Sequence, residues 1–274
     1  MSTILPAPLG PRTALALQFA RIASQAGAVI MAIYASDFAM RVKADKSPVS
    51  EADEQAEAVI VAALRALDPA TPILAEEMAA AEGVHDVGPR FFCVDPLDGT
   101  RQFASRNGEF TVNIALVENG VPTVGCVYAP VIGRMWIGGE TAARADLAPG
   151  AAVEAAAFRT IQARHPRGGL TAFVSRSHLD AETIAYVACL DIAERVQIGS
   201  SLKFCRIAEG EADIYPRFGP TMEWDTAAAH AVLAAAGGSV VRPDGSPFLY
   251  GKAADGYRNG PFVALGARDC LPGG

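Results

Sequence analysis

The stretch Phe91-Phe92-Cys93-Val94-Asp95-Pro96-Leu97-Asp98-Gly99-Thr100 holds the densest chemistry in the chain. An apolar run delivers Asp95, and Pro96 keeps that residue extended, because the proline ring disfavours helical backbone before it. Asp98 is expected on the same side, with the Leu97 carbonyl turned into the same space. Gly99-Thr100 then opens a helix whose free N–H groups suit an anion. Two carboxylates and a carbonyl are hard oxygen ligands, the kind of set that Mg²⁺ takes beside a phosphate. Asp-Pro and Asp-Gly are also common turn pairs, so a turn or cap role stays open for each acid alone.

The other acids invite the same double reading. Glu76-Glu77 follows the strand-like Pro72-Ile73-Leu74 and could equally be a solvated pair. Ser50-Glu51-Ala52-Asp53 has the form of a capping box with Asp in place of the usual Glu. Asp225 stands where it could cap a helix over 226–236 that Gly237-Gly238 closes. All these acids fall at element ends, where loops gather, and several adjoin apolar residues, where a bare carboxylate is costly. A divalent cation is the partner this pattern suggests.

The elements that must position them follow from periodicity. Residues 13–34 place Leu15, Phe19, Ile22, Ala26, Ile30 and Ile33 at helical spacing. A second helix starts near Ser50, carries Ala56, Ile60, Ala63, Leu64 and Leu67, and ends before Pro69. From about residue 72 the text is strand-like, with a hairpin turn at Glu118-Asn119-Gly120. After about residue 160 strands and helices alternate. The expectation is an α/β (α+β) protein of two halves sharing a cleft. Residues 1–160 would form an antiparallel-sheet half carrying most of the acids. Residues 161–274 would form the second half, with Asp225.

Composition narrows the classes. The 274 residues are 51% hydrophobic and 19% charged, which excludes a disordered chain. No uninterrupted apolar run nears the roughly 20 residues of a membrane span, and no signal-peptide pattern opens the chain. The net charge of −7 argues against a nucleic-acid polymer as partner. Five scattered cysteines without C-x-x-C pairs suit free thiols in a reducing cytoplasm.

Val94-Asp95-Pro96-Leu97-Asp98-Gly99-Thr100 and Trp224-Asp225-Thr226-Ala227-Ala228-Ala229-His230, running on to Gly237-Gly238, together resemble both signatures of the inositol monophosphatase superfamily. Glu76-Glu77 and the segment Pro48 to Asp53 stand in the matching order, so the likeness covers about residues 13–265. Within it, the stretch Arg106 to Leu116, Ser175-Arg176-Ser177-His178, Ile198 to Cys205 and Tyr215 to Thr221 look most like the bacterial 3′(2′),5′-bisphosphate nucleotidases. Arg101-Gln102 in place of Lys-Glu, and Ala75 before the acidic pair, depart from the pattern.

The resemblance implies a layered α-β-α-β-α sandwich of the sugar-phosphatase type. It implies two to three Mg²⁺ ions. Glu76, Asp95 and the Leu97 carbonyl would hold one; Asp95, Asp98 and Asp225 would hold a second; a third would sit near Glu76. Asp53 and Thr100, with Glu76, would be catalytic. Gly99, Thr100, His178, Ser200, Lys203 and Arg217 would bind substrate. The implied reaction converts adenosine 3′,5′-bisphosphate (PAP) to AMP and phosphate, extending to PAPS. Li⁺ inhibition and a link to sulfur assimilation come with it. The rival readings are an inositol- or sugar-phosphate phosphatase, and a non-catalytic nucleotide sensor or RNA-polymerase-associated protein on the same scaffold. The resemblance implies a cytoplasmic location, leaves peripheral contact with the inner membrane open, and leaves monomer against homodimer undecided.

Overall fold

The structure, a computed structural model, describes residues 3–5, 8–42, 48–166, 168–177 and 179–270. Helix α1 (Pro11–Tyr34) is followed by the short pair β1 (Met40–Val42) and β2 (Pro48–Ser50), then α2 (Glu51–Leu67). Next come β3 (Ile73–Ala75), α3 (Glu76–Glu82), β4 (Arg90–Asp98), α4 (Thr100–Ala104), β5 (Thr111–Glu118), β6 (Val121–Ala129), β7 (Arg134–Gly138), β8 (Ala142–Asp146) and β9 (Arg159–Thr160). Strands β3 to β9 form one seven-stranded sheet in sequence order, antiparallel except for the β3–β4 pair. Asn119 and Gly120 both take positive φ in the β5–β6 turn, which matches the right-handed twist of the strands it joins.

The second sheet is built from β10 (Leu170–Ser175), α5 (Ala181–Ala188), β11 (Ile192–Ile198), α6 (Leu202–Ala208), β12 (Ile214–Arg217), β13 (Thr221–Met222), α7 (Ala227–Ala235), β14 (Ser239–Val241), β15 (Arg258–Asn259) and β16 (Phe262–Leu265). Its five strands run β11-β10-β12-β16-β14, while β13 and β15 pair separately. The β10–β11 and β10–β12 pairs are parallel and the rest antiparallel.

Strand alternation sets the layers. Val112, Ile114 and Leu116 of β5 face α1 and α2, whereas Ala115 and Val117 face α6 and α7. Helices α6 and α7 lie between the two sheets, and α5 covers the outer face of the second against Ile214, Val263 and Leu265. The result is the five-layer α-β-α-β-α stack. Two glycines let α7 approach: a Cβ on Gly125 would lie 2.2 Å from the Ala228 carbonyl oxygen, and one on Gly138 would lie 2.6 Å from that of Ala231. By length and composition α1 could cross a membrane, but 56% of its apolar window is buried inside the fold.

A bulge positions the central acids. Asp95 pairs with Asn113 and Asp98 with Thr111, three residues opposite two. In a regular strand a separation of three would send the two side chains to opposite faces. The extra residue at Pro96-Leu97, where proline has no N–H for the ladder, returns Asp98 to the side of Asp95. The expected shared side is therefore a product of the bulge, which the sequence reading did not include.

Candidate active site

Ser50 caps α2, and the capping box is complete. Asp53 accepts from the Ser50 amide at 2.8 Å and its hydroxyl at 2.7 Å through Oδ2. The other oxygen, Oδ1, accepts from the Thr100 hydroxyl at 3.2 Å, with the Leu97 carbonyl 3.4 Å from the same hydroxyl. One carboxylate thus serves the cap with one oxygen and Thr100 with the other. Burial pushes the Asp53 carboxyl up against the pull of the Ser50 bonds, and Glu76 adds to the rise.

Asp95 is buried at the end of the apolar run of β4, and its Oδ1 accepts the Leu97 amide at 2.9 Å. Burial first, then Glu76, Asp98 and Asp225, raise its carboxyl well above the usual range. Asp98 accepts the Ser201 amide at 2.5 Å; burial lifts it to about 6 although Lys203 opposes the rise. Asp225 does not cap α7, whose N-cap is Thr226 without a side-chain bond. Its Oδ2 instead accepts the Met222 amide at 2.7 Å, and burial followed by Asp98 raises its carboxyl strongly. Glu76 opens α3 rather than lying in a loop.

On the facing wall, Lys203 is 3% exposed, not a solvated helix residue. Its Nζ donates to the Ser200 carbonyl at 2.5 Å and the Ile198 carbonyl at 3.2 Å, and lies 4.8 Å from the centre of the Tyr215 ring. Burial lowers it to about 8. Arg217, also buried, donates to the carbonyls of Gly219 at 3.1 Å and Pro220 at 3.2 Å. Ser200 holds a positive φ of 46°. His178 lies outside the described residues.

Glu76, Asp98, Gly99, Thr100, Ser200, Lys203, Arg217 and Asp225 line one cleft of about 730 Å³. Asp53 and Asp95 stand behind its wall. A slightly larger cavity, about 800 Å³, lies between β8–β9 and the end of α7. It holds none of these acids, and its Glu209 is already engaged by Arg144 at 3.3 Å and the Trp136 indole at 2.5 Å. The first cleft is therefore the candidate site.

Among the described residues no three carboxylate, imidazole or thiol groups converge closely enough to hold a metal ion as they stand. The donor set nevertheless fits a hard divalent cation: every candidate is an oxygen, Glu76 raises the proton affinity of Asp95, Asp98 and Asp225, and Asp98 raises that of Asp95 and Asp225. A cation reverses that mutual repulsion.

Sequence reading missed several positioning groups. Glu57 caps α3 by accepting the Glu77 amide at 2.7 Å and the Met78 amide at 2.8 Å. Its spacing of four from Asp53, on a face otherwise made of Ala52, Ala56 and Ile60, was the available signal. Arg258, also missed, lines the cleft, as does Arg101, the departure noted in the sequence; both are exposed.

Residues 13–260 match the model of the inositol monophosphatase family. The chain is 47% identical to the 3′(2′),5′-bisphosphate nucleotidase CysQ of Escherichia coli (strain K12), over 85% of this chain and 92% of that one. It is 39% identical to the CysQ of Buchnera aphidicola over 80% and 81%. Among solved structures, CysQ from Bacteroides thetaiotaomicron superposes with a TM-score of 0.76 at 37% identity, covering 92% of this chain and 97% of that one.

Proposed function

The chain belongs to the inositol monophosphatase family, and from that premise we propose that it is a 3′(2′),5′-bisphosphate nucleotidase, cleaving the 3′-phosphate of adenosine 3′,5′-bisphosphate to give AMP. The sulfated relative PAPS is a second substrate of the same reaction. One observation carries the reading: a single cleft is lined by Glu76, Asp98 and Asp225 together with Lys203, Arg217 and Ser200. A metal-dependent phosphatase needs the first set, and a second, uncleaved phosphate needs the other.

Glu76, Asp95, Asp98, Asp225 and the Leu97 carbonyl would hold Mg²⁺, which when bound supplies Lewis acidity to the phosphoryl group and neutralises charge on the leaving oxygen. The chain's own residues do the rest. Thr100, its hydroxyl donating to Asp53, orients the attacking water. Asp53, fixed by Ser50 and raised by burial, takes up the proton that the water loses. The amides of Gly99 and Thr100 face the phosphoryl oxygens. The water oxygen bonds to phosphorus as the bond to the 3′-oxygen breaks; that oxygen takes a proton from solvent, and Asp53 returns to solvent the proton it accepted. Lys203 has spent two of its three N–H donors on carbonyls, so the third remains for the 5′-phosphate. No covalent phosphoenzyme is required, and the five cysteines, all free, take no part.

The reading carries a small-molecule substrate and a cytoplasmic location. Incubation with adenosine 3′,5′-bisphosphate and Mg²⁺ should release one equivalent of phosphate and leave the 5′-phosphate in place. Adenosine 3′-monophosphate as product, or no phosphate from any bisphosphate, would overturn it.

A further inference from the structure

Glu109 lies in the loop between α4 and β5, apart from the carboxylates used above. Its two oxygens take the Arg176 fork, from Nε at 2.8 Å and Nη2 at 2.8 Å, and Oε2 also takes the Gly199 amide at 2.8 Å. Arg176 reaches on to the Gln197 carbonyl at 2.8 Å. One carboxylate thus joins the loop before β5, in the first sheet, to the ends of β10 and β11 in the second. A Cβ on buried Gly199 would fall 2.9 Å from Glu109 Oε2, 3.0 Å from Glu109 Cβ and 3.1 Å from Gln102 Cγ. The joint closes only on a residue without a side chain.

The turn beyond Gly199 faces the cleft. Ser200 takes the left-handed conformation that non-glycine residues rarely adopt, so something outside the turn must hold it there. The Ser201 amide donates to Asp98 at 2.5 Å, and its hydroxyl lies 2.8 Å from Asn113 Oδ1 and 2.8 Å from Thr111 Oγ1. The Ser200 carbonyl receives Lys203.

We propose that Glu109 is a positioning residue for substrate selection: by fixing the Gly199 amide it sets the Gly199–Ser201 turn, and through it places Ser200 and Lys203 against the phosphate that is not cleaved. This rests on the bisphosphate reading given above. A carboxylate suits the task because it accepts the arginine fork and a backbone N–H at once. The ion pair is partly exposed, with side chains 43% and 26% accessible, so it adds little stability and its variants should fold.

The test compares Glu109→Ala and Glu109→Gln on adenosine 3′,5′-bisphosphate and on adenosine 3′-monophosphate, which lacks the uncleaved phosphate. Glu109→Ala should raise KM for the bisphosphate about tenfold, the loss expected for one charge-assisted hydrogen bond, and leave kcat within about twofold. For the monophosphate, kcat/KM should stay within about twofold. Glu109→Gln should fall between, and Arg176→Ala added to Glu109→Ala should cause no further loss. Melting temperatures should stay within about 2 °C of the parent. An unchanged KM in Glu109→Ala, or equal losses on both substrates with a lowered melting temperature, would overturn the positioning role. If the parent protein fails on the bisphosphate, the nucleotidase reading itself falls; if it succeeds and Glu109→Ala matches it, only this inference does.

Discussion

Asp53 divides its two oxygens between Ser50 and Thr100, and each division has its own consequence. Asparagine can still accept from the Ser50 amide at the start of α2 but is a poor base. Asp53→Asn should therefore keep stability within about 1 kcal/mol while lowering kcat about 10²-fold or more, as paired denaturation and turnover measurements would show. Thr100→Ala should lose about as much turnover, because the water then lacks its orienting hydroxyl. Asp98→Asn and Asp225→Asn should each abolish Mg²⁺-dependent turnover, and full activity in either would remove these two from the metal site. Sequence reading set the cap role of Asp53 against the chemical one; the geometry shows that the two need not compete, since one oxygen serves the cap and the other accepts from Thr100. For Asp225 the cap role fails, because its carboxylate turns back to the Met222 amide. Lys203 was legible only through the resemblance, because nothing in a helical Leu-Lys-Phe-Cys run tells a solvated lysine from one that is 3% exposed.

At the scale of elements, periodicity located α1 and α2, because each buries one face and its apolar spacing records that face, and the Asn119-Gly120 turn located the β5–β6 hairpin. What periodicity cannot record is a partner far along the chain. The N-terminus of α1 has no local side-chain cap; Glu140 supplies it, accepting the Arg12 amide at 2.9 Å, the Thr13 amide at 2.7 Å and the Thr13 hydroxyl at 2.7 Å. Glu140→Ala should lower stability by about 1 kcal/mol in chemical denaturation. Burial pushes the Glu140 carboxyl up, but these bonds outweigh it and hold it at about 2, below its ordinary value. A depressed acid stabilises the fold above its unfolded pKa and loses that contribution as pH falls. The gap between the parent and Glu140→Ala should therefore be full near pH 7 and close between about pH 4.5 and pH 2. A gap constant with pH would contradict the capping role. The close seat of α7 is equally invisible to periodicity. Gly138→Ala would force a methyl toward the Ala231 carbonyl and should cost about 1–3 kcal/mol, measured the same way.

Across the whole molecule, two sheets with α6 and α7 between them bring strand ends of both sheets to one cleft. The −7 net charge then acquires a location: Glu76, Asp95, Asp98 and Asp225 crowd one place and should be relieved by a divalent cation. Mg²⁺ at 100 times its dissociation constant should add about 2.7 kcal/mol of stability, read as a rise in melting temperature that EDTA reverses and Asp95→Asn abolishes. The net charge gives no sign of the two cations, Lys203 and Arg217, that line the cleft and on the proposed function take the uncleaved phosphate. The most direct measurement of that claim is kcat/KM with Mg²⁺ on adenosine 3′,5′-bisphosphate and on inositol 1-phosphate. A cleft built for the uncleaved phosphate predicts a preference of about 10²-fold or more for the bisphosphate. Equal values, or a preference for inositol 1-phosphate, would contradict it.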